Sequence, residues 1–377
     1  KTYKIITLGA SGSGKTVFLA SMFKALSTQG DYTFFLEAED QVKRKRLNAI
    51  YTQVITGDSW PQGTKYSDVS EWIFNCRVKI PTLETFTACQ FTYFDYAGGR
   101  LTDSEEDPEF ETLIQQSSAV LGLLDGQNIY SLMKGDSSIA VDSFIKKDLP
   151  GIFKWMYKCR VPIHFVISKW DLIEDEFSLR QVRERLLKIP EFEELIRIRN
   201  QANSPVRLIP VSSIGSGFAS PQTNGSMRKI SGAVPRPFQV EAPLACVLPD
   251  GLKARLSELK EKQQEIEKTG QTKSSLLSNV LGFVGRAAQV SLEFTRIFIV
   301  PVEFEFAPAM VSKLIGSGLE RRDLASLERA EKLKQERDAS LKFVRDEETA
   351  LTHAVDNFVV IQNRLERDFP DSDLILT

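Results

Sequence analysis

Eight residues near the start of the chain constrain it most: Gly9-Ala10-Ser11-Gly12-Ser13-Gly14-Lys15-Thr16 match G-x-x-x-x-G-K-[ST] completely. Tyr3 to Leu8 is a short apolar run that reads as a buried strand. Lys15 to Leu26 reads as a helix, with Phe18, Leu19, Met22, Phe23 and Leu26 on one side. The glycine-rich segment therefore lies between a strand and a helix, the context this motif needs. Its glycines let the backbone curl so that amide N–H groups point at phosphate oxygens. The helix N-terminus adds partial positive charge. Lys15 would reach the β- and γ-phosphates, the Thr16 hydroxyl would coordinate Mg²⁺, and Val17 extends the run of amides. The implied ligand is a nucleoside triphosphate with Mg²⁺.

The rest of the pattern predicts an α/β chain. Ala119 to Leu124, Pro162 to Ile167 and Val206 to Pro210 read as buried strands, and Glu71 to Ile80 with Thr87 to Phe94 as a hairpin. Asp40 to Ile55 reads as a helix with Lys43 to Arg46 on its solvated side, and Ile139 to Tyr157 as helix-rich. Alternating strands and helices predict a mostly parallel sheet with helices on both faces. Gly215 to Pro237 is rich in Gly, Ser and Pro and is expected to be a mobile loop, and a helix near Glu241 should close the sheet domain. The expected division is 1–250 for the sheet domain and 251–377 for a helical C-terminal region. In the latter, Glu258 to Lys268 and Glu320 to Asp368 are charged and helical in pattern. Leu341, Val344, Leu351, Val355, Phe358 and Leu365 would form one apolar stripe on a long helix.

A length of 377 residues fits two or so domains, and a net charge of −2 gives no reason to expect nucleic-acid binding. Cys76, Cys89, Cys159 and Cys246 show no metal spacing and fit a reducing cytosol, and no signal-peptide pattern precedes the first strand. The expectation is a cytoplasmic chain. His164 and His353 are its only histidines, and His164 is expected in the core. The most apolar stretch, Leu276 to Val302, carries Arg286, Glu293 and Arg296, which argue against a spanning helix but allow an interfacial one.

Three more segments carry chemistry. Asp95-Tyr96-Ala97-Gly98 ends an apolar strand, where ligands of open α/β sheets bind. Asp95 can hold Mg²⁺ through water, and the Gly98 amide can sense a γ-phosphate. Ser168-Lys169-Trp170-Asp171 follows another strand. The Asp171 carboxylate can accept from guanine N1–H and the 2-amino group, a donor pair adenine lacks. The Lys169 stem can cover the purine face. Val211-Ser212-Ser213 follows the next strand, and a backbone amide of Ser212 or Ser213 can meet the guanine oxygen.

With GASGSGKT, DYAG, SKWD and VSS in this order, the chain resembles the translation-factor-related P-loop GTPases from Lys1 to the helix after Glu241. Pro237-Phe238-Gln239-Val240-Glu241-Ala242-Pro243-Leu244 and Trp60-Pro61-Gln62-Gly63-Thr64 resemble the bacterial double-GTPase group of conflict and signalling systems. The resemblance implies a P-loop GTPase-like sheet and GTP/GDP with Mg²⁺ as ligands. It also implies a first-switch threonine that closes over Mg²⁺ and the γ-phosphate; Thr64 is the candidate, with Thr56 and Ser59 as competitors. Two departures stand out. Ser168 replaces the usual Asn or Thr, which bears on guanine selectivity. Gly99 stands where many members carry the glutamine that orients the attacking water, and Arg100 follows, either a charge stabiliser or a solvated arginine.

The expected function is a GTPase switch with slow intrinsic hydrolysis, read out by the C-terminal helices through a protein partner or a homo-oligomer. One alternative is a P-loop ATPase regulator, against which Tyr96 stands where most ATPases carry Glu beside the acidic residue. Another is a dynamin-like nucleotide-dependent membrane or assembly protein, motivated by an apolar face of Leu277, Val280, Leu281, Val284 and Ala288. Packing of that face on the chain's own long helix is preferred over membrane contact.

Overall fold

The computed structural model describes residues 1–28, 30, 32–62, 69–96, 98, 101, 107–222, 226–255, 257 and 326–376. Thr64, Gly99, Arg100, Glu258 to Lys268 and Leu276 to Val302 lie outside the described residues.

Seven strands form one sheet: β1 (Thr2–Gly9), β2 (Phe35–Ala38), β3 (Val69–Lys79), β4 (Thr85–Tyr96), β5 (Ala119–Leu124), β6 (Ile163–Ile167) and β7 (Val206–Pro210), in the order β2-β3-β4-β1-β5-β6-β7. All pairings among β4, β1, β5, β6 and β7 are parallel, and β3 alone runs against its neighbours. The sheet is thus mostly parallel, and β3 with β4 forms the expected hairpin. The short edge strand β2 was not expected.

Strand side chains alternate between faces. Tyr3 and Ile5 of β1 enter one core, and Ile6 and Leu8 the other. Helices cover both faces. The first core holds α1 (Lys15–Leu26) and Leu47 of α2 (Gln41–Thr56). The second holds α3 (Pro108–Gln115), α4 (Gly126–Met133), α5 (Ile139–Ser143), α6 (Leu149–Met156), α7 (Leu179–Leu186) and α8 (Pro190–Gln201). A π-helical turn, Phe144–Asp148, joins α5 to α6.

Two expectations are corrected. Within Gly215 to Pro237 the chain forms a small hairpin, β8 (Ala219–Pro221) with β9 (Met227–Lys229). Its base is closed by Ser212 N to Phe238 O at 3.0 Å, Phe238 N to Ser212 O at 2.7 Å and Arg236 N to Ile214 O at 2.7 Å. Those bonds satisfy backbone groups that glycine and proline content alone would leave to water. The charged C-terminal stretch is two helices rather than one long one, α10 (Ser326–Leu341) and α11 (Glu347–Asp368), following α9 (Ala242–Ala245) and helical residues 247–255. Asp346 breaks the run by capping α11: its side chain accepts from Thr349 N at 2.8 Å, and the Thr349 hydroxyl accepts in return from Asp346 N.

The expected apolar stripe is buried, but against the sheet. Leu351, Val355, Phe358 and Leu365 lie in the first core, and the Phe358 ring meets Phe91 of β4 at 6.0 Å and Phe34 at 5.1 Å. Among the described residues no helix is long and apolar enough to cross a membrane.

Candidate functional site

β1 ends at Gly9, and the chain turns back on itself at once: Ser13 N donates to Ala10 O at 3.2 Å. Gly12 and Gly14 have φ of 82° and 92°, a region costly for any residue with a Cβ, and Gly14 leads directly into α1. Ser11 and Gly12 at the crest are exposed, Ser13 is buried and Thr16 half-buried. Val17 turns away from the crest and packs with Val54, Ile214 and Phe218. Lys15 folds back over the loop, with Nζ 2.6 Å from Gly9 O and 3.1 Å from Ala10 O. Burial pulls its ammonium below the ordinary lysine range, against the opposing pull of Asp95 and Asp148.

Register places Asp95 beside this loop. It lies opposite Thr7 of β1, two residues before Gly9, and it is buried. Gly98 comes closer still. A Cβ there would meet Ala10 C at 2.6 Å and Gly9 O at 2.8 Å, so only glycine lets the two backbones touch. The residue after Asp95, Tyr96, points elsewhere: its ring stacks on Phe110 at 3.7 Å and its hydroxyl donates to Asp107 at 3.0 Å.

The segment after β6 is tied to the same loop. Ser168 Oγ lies 2.8 Å from Ser13 O and 3.1 Å from Leu124 O, donating between them. Lys169 sits at φ 50°, ψ 39°, a left-handed conformation that costs a non-glycine residue on the order of 1–2 kcal/mol. Its Nζ reaches Gly12 O at 3.2 Å and both Asp125 oxygens at 2.8 and 2.9 Å. Strain at this position is over-determined by those bonds, as it commonly is at working sites.

Asp171 and the segment after β7 form the far wall. Ser212 Oγ donates to Asp171 Oδ1 at 2.5 Å and accepts from Gly215 N at 2.8 Å. Ser213 O accepts from Ser21 Oγ of α1 at 2.9 Å, which ties this wall to the helix behind the Gly9–Thr16 loop.

The structure thus gathers Gly9, Ser11, Gly12, Ser13, Gly14, Lys15, Thr16, Asp95, Gly98, Ser168, Lys169, Asp171, Ser212 and Ser213 around one end of the parallel strands. Of the two competitors to Thr64, Thr56 spends its hydroxyl inside α2, donating to Thr52 O at 3.0 Å, and the Ser59 hydroxyl lies 3.5 Å from Gln53 Nε2. Two acids at the site were not expected. Asp125 directly follows β5, next to β1 in the sheet, so its place at a strand's C-terminal end was a usable signal. Asp148 comes from the π-helical turn and carries no such signal. Burial, and then Asp125, push its carboxyl up, while Lys147 and Lys15 pull it down.

Among the described residues no group of three or more His, Cys, Asp or Glu side chains is arranged to hold a metal ion. In comparisons with known proteins, no family profile and no curated sequence matches the chain.

Proposed function

We propose that the chain is a Mg²⁺-dependent GTPase that works as a molecular switch, cytoplasmic and akin to the translation-factor-related double-GTPase group. The observation that carries this reading is the double tie between the Gly9–Thr16 loop and the segment after β6. Ser168 bonds to Ser13 O, and Lys169 spans from Gly12 O to Asp125. That tie holds Asp171 at a fixed distance from the phosphate loop, as a reader of the base at the far end of the same nucleotide must be held. The Ser168 departure is accommodated, because its hydroxyl performs the tie. Tyr96, stacked on Phe110 and bonded to Asp107, takes the chain position directly after Asp95 where most ATPases carry Glu, which favours this reading over an ATPase regulator.

In this reading the amides from Ser11 to Val17 and the Lys15 ammonium hold the phosphates. The Gly98 amide stands next to the γ-phosphate. The Lys169 stem covers the purine, Asp171 accepts its N1–H and 2-amino hydrogens, and Ser212 and Ser213 close the pocket. Thr16, Thr64 and Asp95 are the candidate Mg²⁺ ligands; Thr16 follows Lys15 in the chain, Asp95 is near enough to pull on the Lys15 ammonium, and a nucleotide-bound Mg²⁺ needs few protein oxygens. When bound, the ion neutralises charge developing on the phosphates. Gly99 has no side chain to orient water, so unassisted hydrolysis is slow, with Arg100 or a partner supplying what is missing. The C-terminal helices carry the output, to a protein partner or a second copy.

Calorimetry with GTP and ATP, on wild type and Asp171→Asn, tests this. Wild type binds GTP more tightly, and the variant loses that preference and gains affinity for xanthosine triphosphate. ATP binding as tight as GTP in wild type overturns the guanine assignment.

A further inference from the structure

The end of α11 meets the base-reading wall. Phe369, the residue after that helix, is held by Phe369 N to Leu365 O at 2.8 Å. Its ring lies 6.1 Å from the Trp170 ring, edge to face at 85°, and Trp170 is buried to 2% exposure immediately before Asp171. The same ring lies 6.1 Å from Phe238, edge to face at 71°. Phe238 is the residue whose backbone exchanges two hydrogen bonds with Ser212, and Ser212 holds Asp171. Phe369 therefore braces Asp171 from both sides: through Trp170 along the chain, and through Phe238 and Ser212 across it.

The chain beyond Phe369 fastens this brace. Leu374 N donates to Val206 O at 3.0 Å, and Asp373 bridges to Arg207 of β7. Upstream, Glu366 and Gln362 of α11 join a buried cluster with Arg207 and Asp250. The strands beneath that cluster, β6 and β7, are the ones that lead into Asp171 and Ser212.

We propose that Phe369 is a positioning residue for the base-reading turn, so that docking of α11 on the sheet and binding of the guanine base reinforce each other. The inference rests on the guanine-nucleotide reading above. Two sites joined by such a contact are coupled in both directions: the base tightens the docking of α11, and whatever lifts α11 weakens the grip on the base. A partner that takes the last turn of α11 and Phe369 thereby speeds nucleotide release without touching the phosphate loop.

The test compares GTP with inosine triphosphate, which lacks the 2-amino group that Asp171 accepts, on full-length wild type, Phe369→Ala and Phe369→Tyr. Wild type prefers GTP. Phe369→Ala shrinks that preference on the order of tenfold, and Phe369→Tyr, which keeps a ring, restores it. A merely structural role would lower the melting temperature and leave the ratio where it was; a folded Phe369→Ala protein with the wild-type ratio overturns the inference and leaves the guanine reading standing. A wild-type chain that prefers ATP overturns both. Where Phe369→Ala fails to fold, hydrogen exchange on wild type decides. GDP raises amide protection over residues 365–376 by more than over α8, and an equal rise in both overturns the coupling.

Discussion

The Ser168 hydroxyl donates to Ser13 O at 2.8 Å across 155 residues of chain. This one bond joins the two loops that, in the proposed function, hold opposite ends of the nucleotide. It also uses the carbonyl of a buried loop residue, a group whose hydrogen bonding water cannot easily supply.

Ser168→Ala removes the tie and leaves Ser13 O without that donor. The expected loss of stability is about 1–3 kcal/mol, the range for an orphaned buried acceptor. Nucleotide affinity falls by about tenfold because the two loops no longer share a fixed spacing. Urea melts and calorimetry measure the two effects separately. An unchanged affinity alongside the stability loss would mean that the bond shapes the fold alone.

Asp125 performs two tasks that substitution can separate. Its carboxylate caps α4 by accepting from Gln127 N at 2.9 Å, and it pairs with Lys169 Nζ at 2.8 Å. Asp125→Ala loses both, at about 1 kcal/mol for the cap. Asp125→Asn keeps an acceptor for the cap but not the charge that holds Lys169 against Gly12 O. Thermal melts should place Asp125→Asn near wild type and Asp125→Ala below it. Nucleotide affinity should fall in both; a fall confined to Asp125→Ala assigns the residue to the helix cap.

The difference between what was legible in the sequence and what was not follows the range of the forces involved. β7 and α1 lie where local apolar periodicity put them, residue for residue, since a fully buried strand and an amphipathic helix each carry their own signal. The loop glycines and Asp95 were legible because a strand end next to a glycine turn leaves few alternatives. What long-range contact decides was not legible. β2 is four residues long and exists because β3 lies beside it. The stripe of Leu351, Val355 and Phe358 was visible, but not that its partner is β4. Asp148, which acts on Lys15, comes from a π-helical turn, a local irregularity that no periodic pattern announces.

The hairpin of β8 and β9 is held to α2 by Lys229. Its Nζ caps that helix's end, 2.7 Å from Gln53 O, 2.6 Å from Gly57 O and 3.1 Å from Ser59 O. It also lies 4.9 Å from the Trp60 ring centroid, while Trp60 Nε1 donates to Met227 O at 2.6 Å. Lys229→Ala removes the donor shared by Gln53 O of α2, which keeps the Gly57 N–H, and by Gly57 O and Ser59 O just past the helix, at a cost of about 1 kcal/mol. Limited proteolysis should then cut sooner between residues 57 and 62, just ahead of Thr64. Identical digestion of wild type and variant would show that Trp60 alone holds the junction.

Asp250 is one source of the fold's acid sensitivity, beside Glu366, whose carboxyl Arg207 and then Lys253 pull down against burial. Burial alone would raise the Asp250 carboxyl, but the Arg207 guanidinium, then the bonds from His164 and Arg207, and then Lys253 outweigh it and hold the group well below the usual carboxylate range. A carboxyl depressed in the folded state binds fewer protons there than in the unfolded chain, so stability rises with pH across the window. The contribution is whole above the ordinary aspartate value of about 3.9 and is lost as pH falls from there toward the lower folded value. Asp250→Asn removes the Asp250 share of this slope and leaves Arg207, 1% exposed, as a buried charge paired with Glu366. Breaking a buried pair in this way costs about 3–5 kcal/mol at neutral pH. The double variant Arg207→Met, Asp250→Leu removes both charges of the pair, leaves Glu366 to Lys253 at 3.7 Å, and should recover part of that loss. Denaturant melts of the three proteins from pH 3 to pH 7 give the slope and the recovery together. An Asp250→Asn variant as acid-sensitive as wild type would assign the slope to Glu366 or another carboxyl.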